Sequence, residues 1–173
     1  MKIWVMLRLL SISVVLVMSI EAWAIDDDDT RQTLSGMSSV SVLIEHLPDD
    51  LTLGGLSRDS LQTDVELRLR IAGIRVPTGQ EILSKPGMPF LYVVVNGART
   101  SMTTGKQIGY SVVVKLELMQ DVRLVRNPTI QSKAPTWSVS KIVGGAKIDV
   151  FQNAVREMTD KFSNAYLAAN PKQ

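Results

Sequence analysis

Alternation between apolar and polar residues is strongest in the second half of the chain. From 108 to 125 the even positions are mostly apolar, while the odd positions include Lys115 and Glu117. Because successive side chains of a strand point to opposite faces, this period of two predicts a β-strand with one buried and one solvated face. The turn sequence Asn127-Pro128-Thr129 predicts a chain reversal, since proline has no amide donor for a ladder. A weaker alternation from Ser132 to Ile142 predicts the returning strand, in an edge position.

Shorter patterns complete the fold prediction. Residues 38–46 alternate and predict a first strand, and the continuous apolar run at 90–95 predicts a strand in the centre of the sheet. A helix is predicted over 58–72 by apolar residues at helical spacing after the capping Ser57, and a second begins near Lys147. The order β-α-β-β-β-α predicts an α+β fold, a two-layer sandwich in which two helices cover one face of a four-stranded, mostly antiparallel sheet.

The amino terminus has the pattern of a secretory signal peptide. Residues 1–24 contain Lys2 and Arg8, an apolar run over 9–20, and the small-x-small sequence Ala22-Trp23-Ala24. We expect cleavage after Ala24, because an apolar run of this length is too short to cross a bilayer core of about 30 Å comfortably. An uncleaved anchor is the alternative.

Residues 25–37 open with four aspartates and predict a flexible acidic leader, followed by one domain over 38–169 and a tail at 170–173.

The amino-acid composition indicates the compartment in which the protein works. The sequence contains no cysteine, so a disulfide framework, a thiol nucleophile and a lipid-bearing cysteine are excluded. An exported chain without disulfides is more typical of the bacterial periplasm than of eukaryotic secretion, and we expect a periplasmic or secreted protein. Cleavage of the signal peptide would change the count from 19 basic and 17 acidic residues to 17 and 16, because Lys2, Arg8 and Glu21 leave with it. This balance does not predict nucleic-acid binding.

Catalytic and metal-binding motifs are missing from the sequence. His46 is the only histidine, and there is no G-x-S-x-G segment to place a serine nucleophile beside it. One histidine without cysteine does not supply a usual zinc ligand set, and Gly105-Lys106 lacks the frame of a phosphate-binding loop. The sequence therefore predicts no catalytic residue, no cofactor-binding residue and no metal site, and we expect a protein that is not an enzyme.

Candidate partner-binding residues lie on and around the long hairpin. The solvated face of the first strand carries Lys115 and Glu117, and the loop predicted over 96–107 carries Thr103. That loop is too long for a tight hairpin, so we expect it to be mobile or to act in recognition. The basic residues Arg123, Arg126 and Lys133 bracket the hairpin tip. Contact with an acidic partner or with lipid head groups at the membrane periphery is one role for them, and simple solvation of a hairpin end is the alternative.

The order of elements is similar to that of small bacterial envelope domains, such as the lipopolysaccharide-assembly lipoprotein partner of the outer-membrane translocon and the amino-terminal domain of the Tol-system propeller protein. The chain departs from the former because it lacks a lipoprotein cysteine.

The functional hypothesis is a non-catalytic exported accessory protein that binds a protein partner in the bacterial cell envelope. A carrier of a small apolar ligand and a small enzyme that works without histidine are the alternatives. Nothing in the sequence specifies an oligomeric state.

Overall fold

A computed structural model describes residues 19–78, 81 and 87–171, with side chains from residue 25 onward. The signal peptide prediction falls largely on residues 1–18, which lie outside the described part of the chain. The elements are β1 (Ser19–Ile25), α1 (Asp28–Gln32), β2 (Ser41–Ile44), α2 (Asp49–Leu53), α3 (Arg58–Ile71), β3 (Phe90–Ser101), β4 (Gln107–Leu124), β5 (Asn127–Gly145) and α4 (Asp149–Ala169). The five strands form one sheet with the order β1-β5-β4-β3-β2.

The predicted α+β class and the order of the main elements are confirmed. The four predicted strands are β2 to β5, in which β2 pairs with β3 in parallel and the remaining neighbours are antiparallel. The helices α3 and α4 pack side by side against one face of the sheet, which we call the covered face. Ser57 caps α3 through its side chain, as expected from the sequence.

The core lies between this helical layer and the sheet. Even-numbered residues of β4 supply one wall, and Leu116 and Leu118 are fully buried there. The opposite wall comes from α4, where Phe162 packs edge-on against Trp137 of β5 with ring centroids 5.2 Å apart. Aromatic pairs of this geometry add to the stabilisation that burial of their area gives. The central strand β3 was expected to be covered on both faces, but only its odd positions are fully buried.

The long hairpin turns earlier than the sequence predicts. Its turn is Val125-Arg126, and β5 begins at Asn127 rather than at Ser132. The Asn127 side chain accepts hydrogen bonds from the amide and hydroxyl of Thr129, so the asparagine supports the strand entry instead of the turn. A register shift opposite Arg123 and Leu124 accommodates Pro128, which lacks a ladder donor.

The loop predicted over 96–107 is mostly strand. β3 continues to Ser101 and β4 starts at Gln107, and the turn is closed by the amide of Met102 donating to the carbonyl of Lys106. Gly105 takes the positive φ of 81° that this turn requires. The expectation of a long loop over 96–107 is therefore wrong, because most of these residues belong to the paired strands β3 and β4.

The returning strand was predicted at the edge of the sheet, and in the structure it is internal. Residues 19–22 of β1 pair antiparallel with 143–140 of β5, and Ile25 is the partner of Ser138 after a register shift. The fifth strand was missed because its residues carry the composition of a secretion signal, which dominates the pattern of that segment.

The acidic segment 25–37 packs on the domain in the structure. Asp26 accepts hydrogen bonds from the indole of Trp137 at 2.8 Å and from Arg31 at 2.7 Å, and Asp27 caps α1. Leu34 is fully buried. Asn170 reaches back from the end of α4 to the carbonyl of Leu34, so the segment is tied to the domain at both of its ends.

Candidate functional site

The face of the sheet that α3 and α4 leave uncovered is the candidate site, and we call it the open face. On β4 it carries the odd positions, including Val113, Lys115 and Glu117, because the even positions point into the core. Cross-strand pairing extends it in register over all five strands. One row runs from Leu43 through Tyr92, Glu117 and Ser138 to Ile25.

Large aliphatic side chains are exposed across this face. Leu43 is 42%, Val113 43%, Ile142 40% and Ile25 51% accessible to solvent, and they come from four different strands. Val113 and Ile142 are direct cross-strand partners, so their side chains lie next to each other. Exposed aliphatic residues that share one face in this way mark an interaction surface more often than singly scattered ones do.

An ion pair lies among these apolar residues. The ammonium group of Lys115 is 2.7 Å from the Glu117 carboxylate, and the two side chains are 41% and 14% exposed. Two predicted site residues are thus brought together by their i,i+2 spacing on one strand. The pair provides hydrogen-bonding groups beside the exposed aliphatic residues, and protein interfaces combine apolar side chains with a few such polar groups.

Two aromatic residues of β3 lie beside the ion pair. The rings of Phe90 and Tyr92 pack edge to face with centroids 6.3 Å apart. Burial raises the pKa of Tyr92, and a hydrogen bond to the carboxylate of Glu45 raises it further. The Lys133 ammonium lies 5.8 Å from the Phe90 centroid, so this predicted residue also borders the open face.

The other predicted residues lie towards the two ends of the sheet. Arg123 and Arg126 are exposed on the end of the β4–β5 hairpin, beyond the last β3–β4 pair, Phe90 with Met119. Thr103 is exposed in the β3–β4 turn, at the opposite end of the sheet. The structure therefore brings Lys115 and Glu117 together, places Lys133 and Arg123 farther along the same face towards the hairpin end, and leaves Arg126 and Thr103 in the two turns.

Several residues of the face were missed from the sequence. The even positions of the apolar run 90–95, Tyr92 among them, point to the open side, although the run was taken as buried on both faces. Val113 and Ile142 were not selected because apolar residues within a strand suggest core. The available signal was the position of Val113 on the odd, polar side of its own strand.

A groove between α3 and α4 lies on the opposite side of the molecule. It has a volume of about 440 Å³ and contains the acidic residues Asp64 and Asp160. Each carboxylate is held by an arginine of the facing helix, Asp64 by Arg156 at 2.6 Å and Asp160 by Arg68 at 2.7 Å. Carboxylates neutralised in this way serve to join the helices, and the groove lacks a free acid and base pair.

The described residues also bear on metal binding and on membrane crossing. No group of three or more histidine, aspartate or glutamate side chains in the described part of the chain is arranged to hold a metal ion. None of the described helices combines the length and apolar character needed to cross a bilayer.

Comparison with known proteins gives structural likenesses of low similarity. No protein-family model and no curated protein sequence matches the chain. A PelC dodecamer from Paraburkholderia phytofirmans is similar over 87% of this chain and 97% of its own, with 14% identity and a TM-score of 0.42. The rare lipoprotein B from Shewanella oneidensis is similar over 75% of this chain and 92% of its own, with 15% identity and a TM-score of 0.28. At these identities and TM-scores the likenesses carry no argument about function.

Proposed function

We propose that the chain is a non-catalytic accessory protein, exported to the bacterial periplasm, that acts by binding a protein partner of the cell envelope through its open face. The observation that carries this proposal is the exposure of Ile25, Leu43, Val113 and Ile142 on one face of the sheet. Such surface costs solubility and gives little stability to the free protein. An interface would bury it and gain roughly 25 cal/mol per Å² before the cost of association.

The chemistry of the face favours a protein over a small ligand. It is spread over neighbouring strands and holds two ion pairs, Lys115 with Glu117 and Lys133 with Asp121, beside apolar side chains. Typical protein interfaces combine an apolar centre with a few polar pairs. A small apolar ligand would favour a deep concave site. The ion-paired acids of the helical groove likewise give no support to the alternative of a histidine-independent enzyme.

The proposal is tested by affinity purification of the tagged protein from the periplasm of its native host, using two matched lysine substitutions. Val113→Lys places a charge in the open face, whereas Leu67→Lys places one in the helical groove at a similarly exposed aliphatic, 51% accessible. We expect one stoichiometric envelope protein with the wild type and with Leu67→Lys, and its loss with Val113→Lys. Retention of the partner by Val113→Lys, or its loss only with Leu67→Lys, would contradict the assignment of the open face.

A further inference from the structure

We propose that removal of the signal peptide, residues 1–24, opens the outer edge of β5, and that an extended segment of the partner protein then pairs there as an additional antiparallel strand. This inference rests on the proposed function, since it assumes export and a protein partner. It adds a second contact, made by main-chain hydrogen bonds, to the side-chain contacts of the open face.

The predicted cleavage site falls inside β1. Cleavage after Ala24 would remove every β1 residue except Ile25, and with them the partners of residues 140 to 143 of β5. The strand that covers this edge in the full chain is therefore one that processing would take away. The edge would then present a row of unpaired amide and carbonyl groups, which act as a template for another strand.

The exposed edge has few of the features by which natural edge strands avoid pairing. There is no proline from 136 to 145 and only one charged residue, Lys141. Lys141 belongs to the covered face, where its ammonium group lies 2.9 Å from Glu157 and its side chain is only 15% exposed. An inward-pointing charge is one means of blocking an edge, but this one is neutralised by Glu157, and no proline or exposed lysine lies between 136 and 145.

The acceptor strand has contacts that do not depend on β1. Residues 138 to 143 of β5 pair with β4 on the other side, and Trp137 is fully buried against Phe162. Asp26 accepts a hydrogen bond from the indole of Trp137, and cleavage after Ala24 would leave both residues in the chain. A strand that is already extended and fixed loses little conformational entropy when a second strand binds, which lowers the cost of association.

The β1 segment itself indicates the chemistry of the occupant. Ile20 is the register partner of Ile142, and Ala22 is the register partner of Ser140, both of which belong to the open face. An incoming segment of this kind would extend the apolar surface around Val113 and Ile142 by one strand. We therefore expect an extended partner segment with small or aliphatic residues at alternate positions, continuous with the surface that binds the open face.

The experiment uses the processed protein purified from the periplasm, whose first residue is determined by intact-mass analysis. The probe is a labelled peptide with the sequence of residues 19–25, and binding is followed by fluorescence anisotropy. Two control peptides have the same side chains but are N-methylated at alternate amides, one at the odd positions and one at the even positions. Because a strand bonds to an edge through one alternate set of amides only, one methylated peptide should bind at least about tenfold more weakly than the other.

Matched substitutions then locate the peptide. Ile142→Lys lies on β5 and should weaken peptide binding, whereas Leu67→Lys lies in the helical groove at a similarly exposed aliphatic and should leave it unchanged. A mature chain that retains residues 19–24, equal binding of the two methylated peptides, or failure of the unmethylated peptide to bind would each overturn the proposal. A processed protein that forms a dimer through β5 would also overturn it, since a second copy would then be the occupant.

The outcome separates this inference from the proposed function. If Val113→Lys abolishes capture of the partner while the peptide does not bind, the open face remains the partner site and only the edge proposal fails. If the peptide binds with the expected methylation pattern while no partner is captured, the edge accepts strands and the proposed function fails.

Discussion

The two faces of the sheet both carry aliphatic residues, yet their surroundings differ. On the covered face Leu116 and Leu118 are fully buried by the helices, whereas on the open face Val113 and Ile142 keep 43% and 40% of their surface in water. Burial on the first face supplies the hydrophobic free energy of folding. Apolar surface on the second face contributes little to that free energy, which is why we assign it to binding. Substitutions on the two faces should therefore separate stability from partner capture.

Truncation of a core aromatic residue should give the largest difference in the free energy of unfolding between substitutions on the two faces. Phe162 is fully buried and packs on Trp137, so Phe162→Ala should lower the free energy of unfolding by about 3 to 5 kcal/mol. On the open face, Ile142→Ala should cost less than about 1 kcal/mol, since its side chain is already 40% exposed. Urea denaturation of both variants checks this. Similar losses for the two would mean that the open face is part of the stabilising core.

Two glycines in strands allow stability to be compared at two backbone positions, one crowded and one open. A Cβ on Gly97 would lie 2.2 Å from the Ser111 carbonyl oxygen and 2.7 Å from the Val112 Cα, so Gly97→Ala must push β3 and β4 apart. We expect a loss of about 1 to 3 kcal/mol, as for other overpacked sites. Gly144→Ala is the matched control, because the nearest atom to its Cβ would be 4.0 Å away. Thermal unfolding of the pair measures the difference, and an unchanged melting temperature for Gly97→Ala would contradict it.

An acid-sensitive contact lies at the rim of the covered face. Hydrogen bonds from Arg31 and from the indole of Trp137 hold the pKa of Asp26 below its ordinary value. A carboxyl whose pKa is lower in the folded state stabilises the fold above its unfolded pKa, about 3.9. That contribution is lost as the pH falls through the lower folded value. Asp26→Asn should therefore cost about 1 kcal/mol near neutral pH and progressively less below about pH 4.

The measurement for this contact is the free energy of unfolding of wild type and Asp26→Asn as a function of pH. The two curves should converge on the acid side. A constant offset between them down to about pH 2 would show that the Asp26 charge is not the source of the difference.

A charge placed in the open face should have the smallest effect on stability. Val113→Lys exchanges one exposed side chain for another, so we expect a change in free energy within about 0.5 kcal/mol, together with loss of the partner. Circular dichroism melting performed alongside the affinity purification checks both parts. A strongly lowered melting temperature would indicate that Val113 stabilises the fold.

Much of the layered fold follows from the sequence because its main patterns are regular. The even positions of β4 and the apolar stripe of α4 each have one period over many residues, and both elements lie where they were predicted. The hairpin turns were misplaced because local residue preferences were given more weight than pairing. Pro128 is tolerated inside β5 by a register shift, and Gly97 fits where β3 and β4 come close together.

The candidate site was predictable only in part. Lys115 and Glu117 stood out as polar residues on an alternating strand, and the structure pairs them. The sequence did not mark Val113, Ile142 and Tyr92 as surface residues. An apolar residue in a strand has the same sequence pattern whether or not a helix covers it. Which face of the sheet the helices occupy is decided by tertiary packing, and this decides which aliphatic residues are available to a partner.

The proposed function requires that the open face, rather than the helical side, contacts a partner in the cell. Its most direct measurement is photo-crosslinking in living cells, with a photo-reactive residue at Val113 and, as a control, at Leu53 of α2, which is 76% exposed. We predict one discrete adduct with an envelope protein from position 113 and none from position 53. The absence of an adduct at 113, or the same adduct from both positions, would contradict the account.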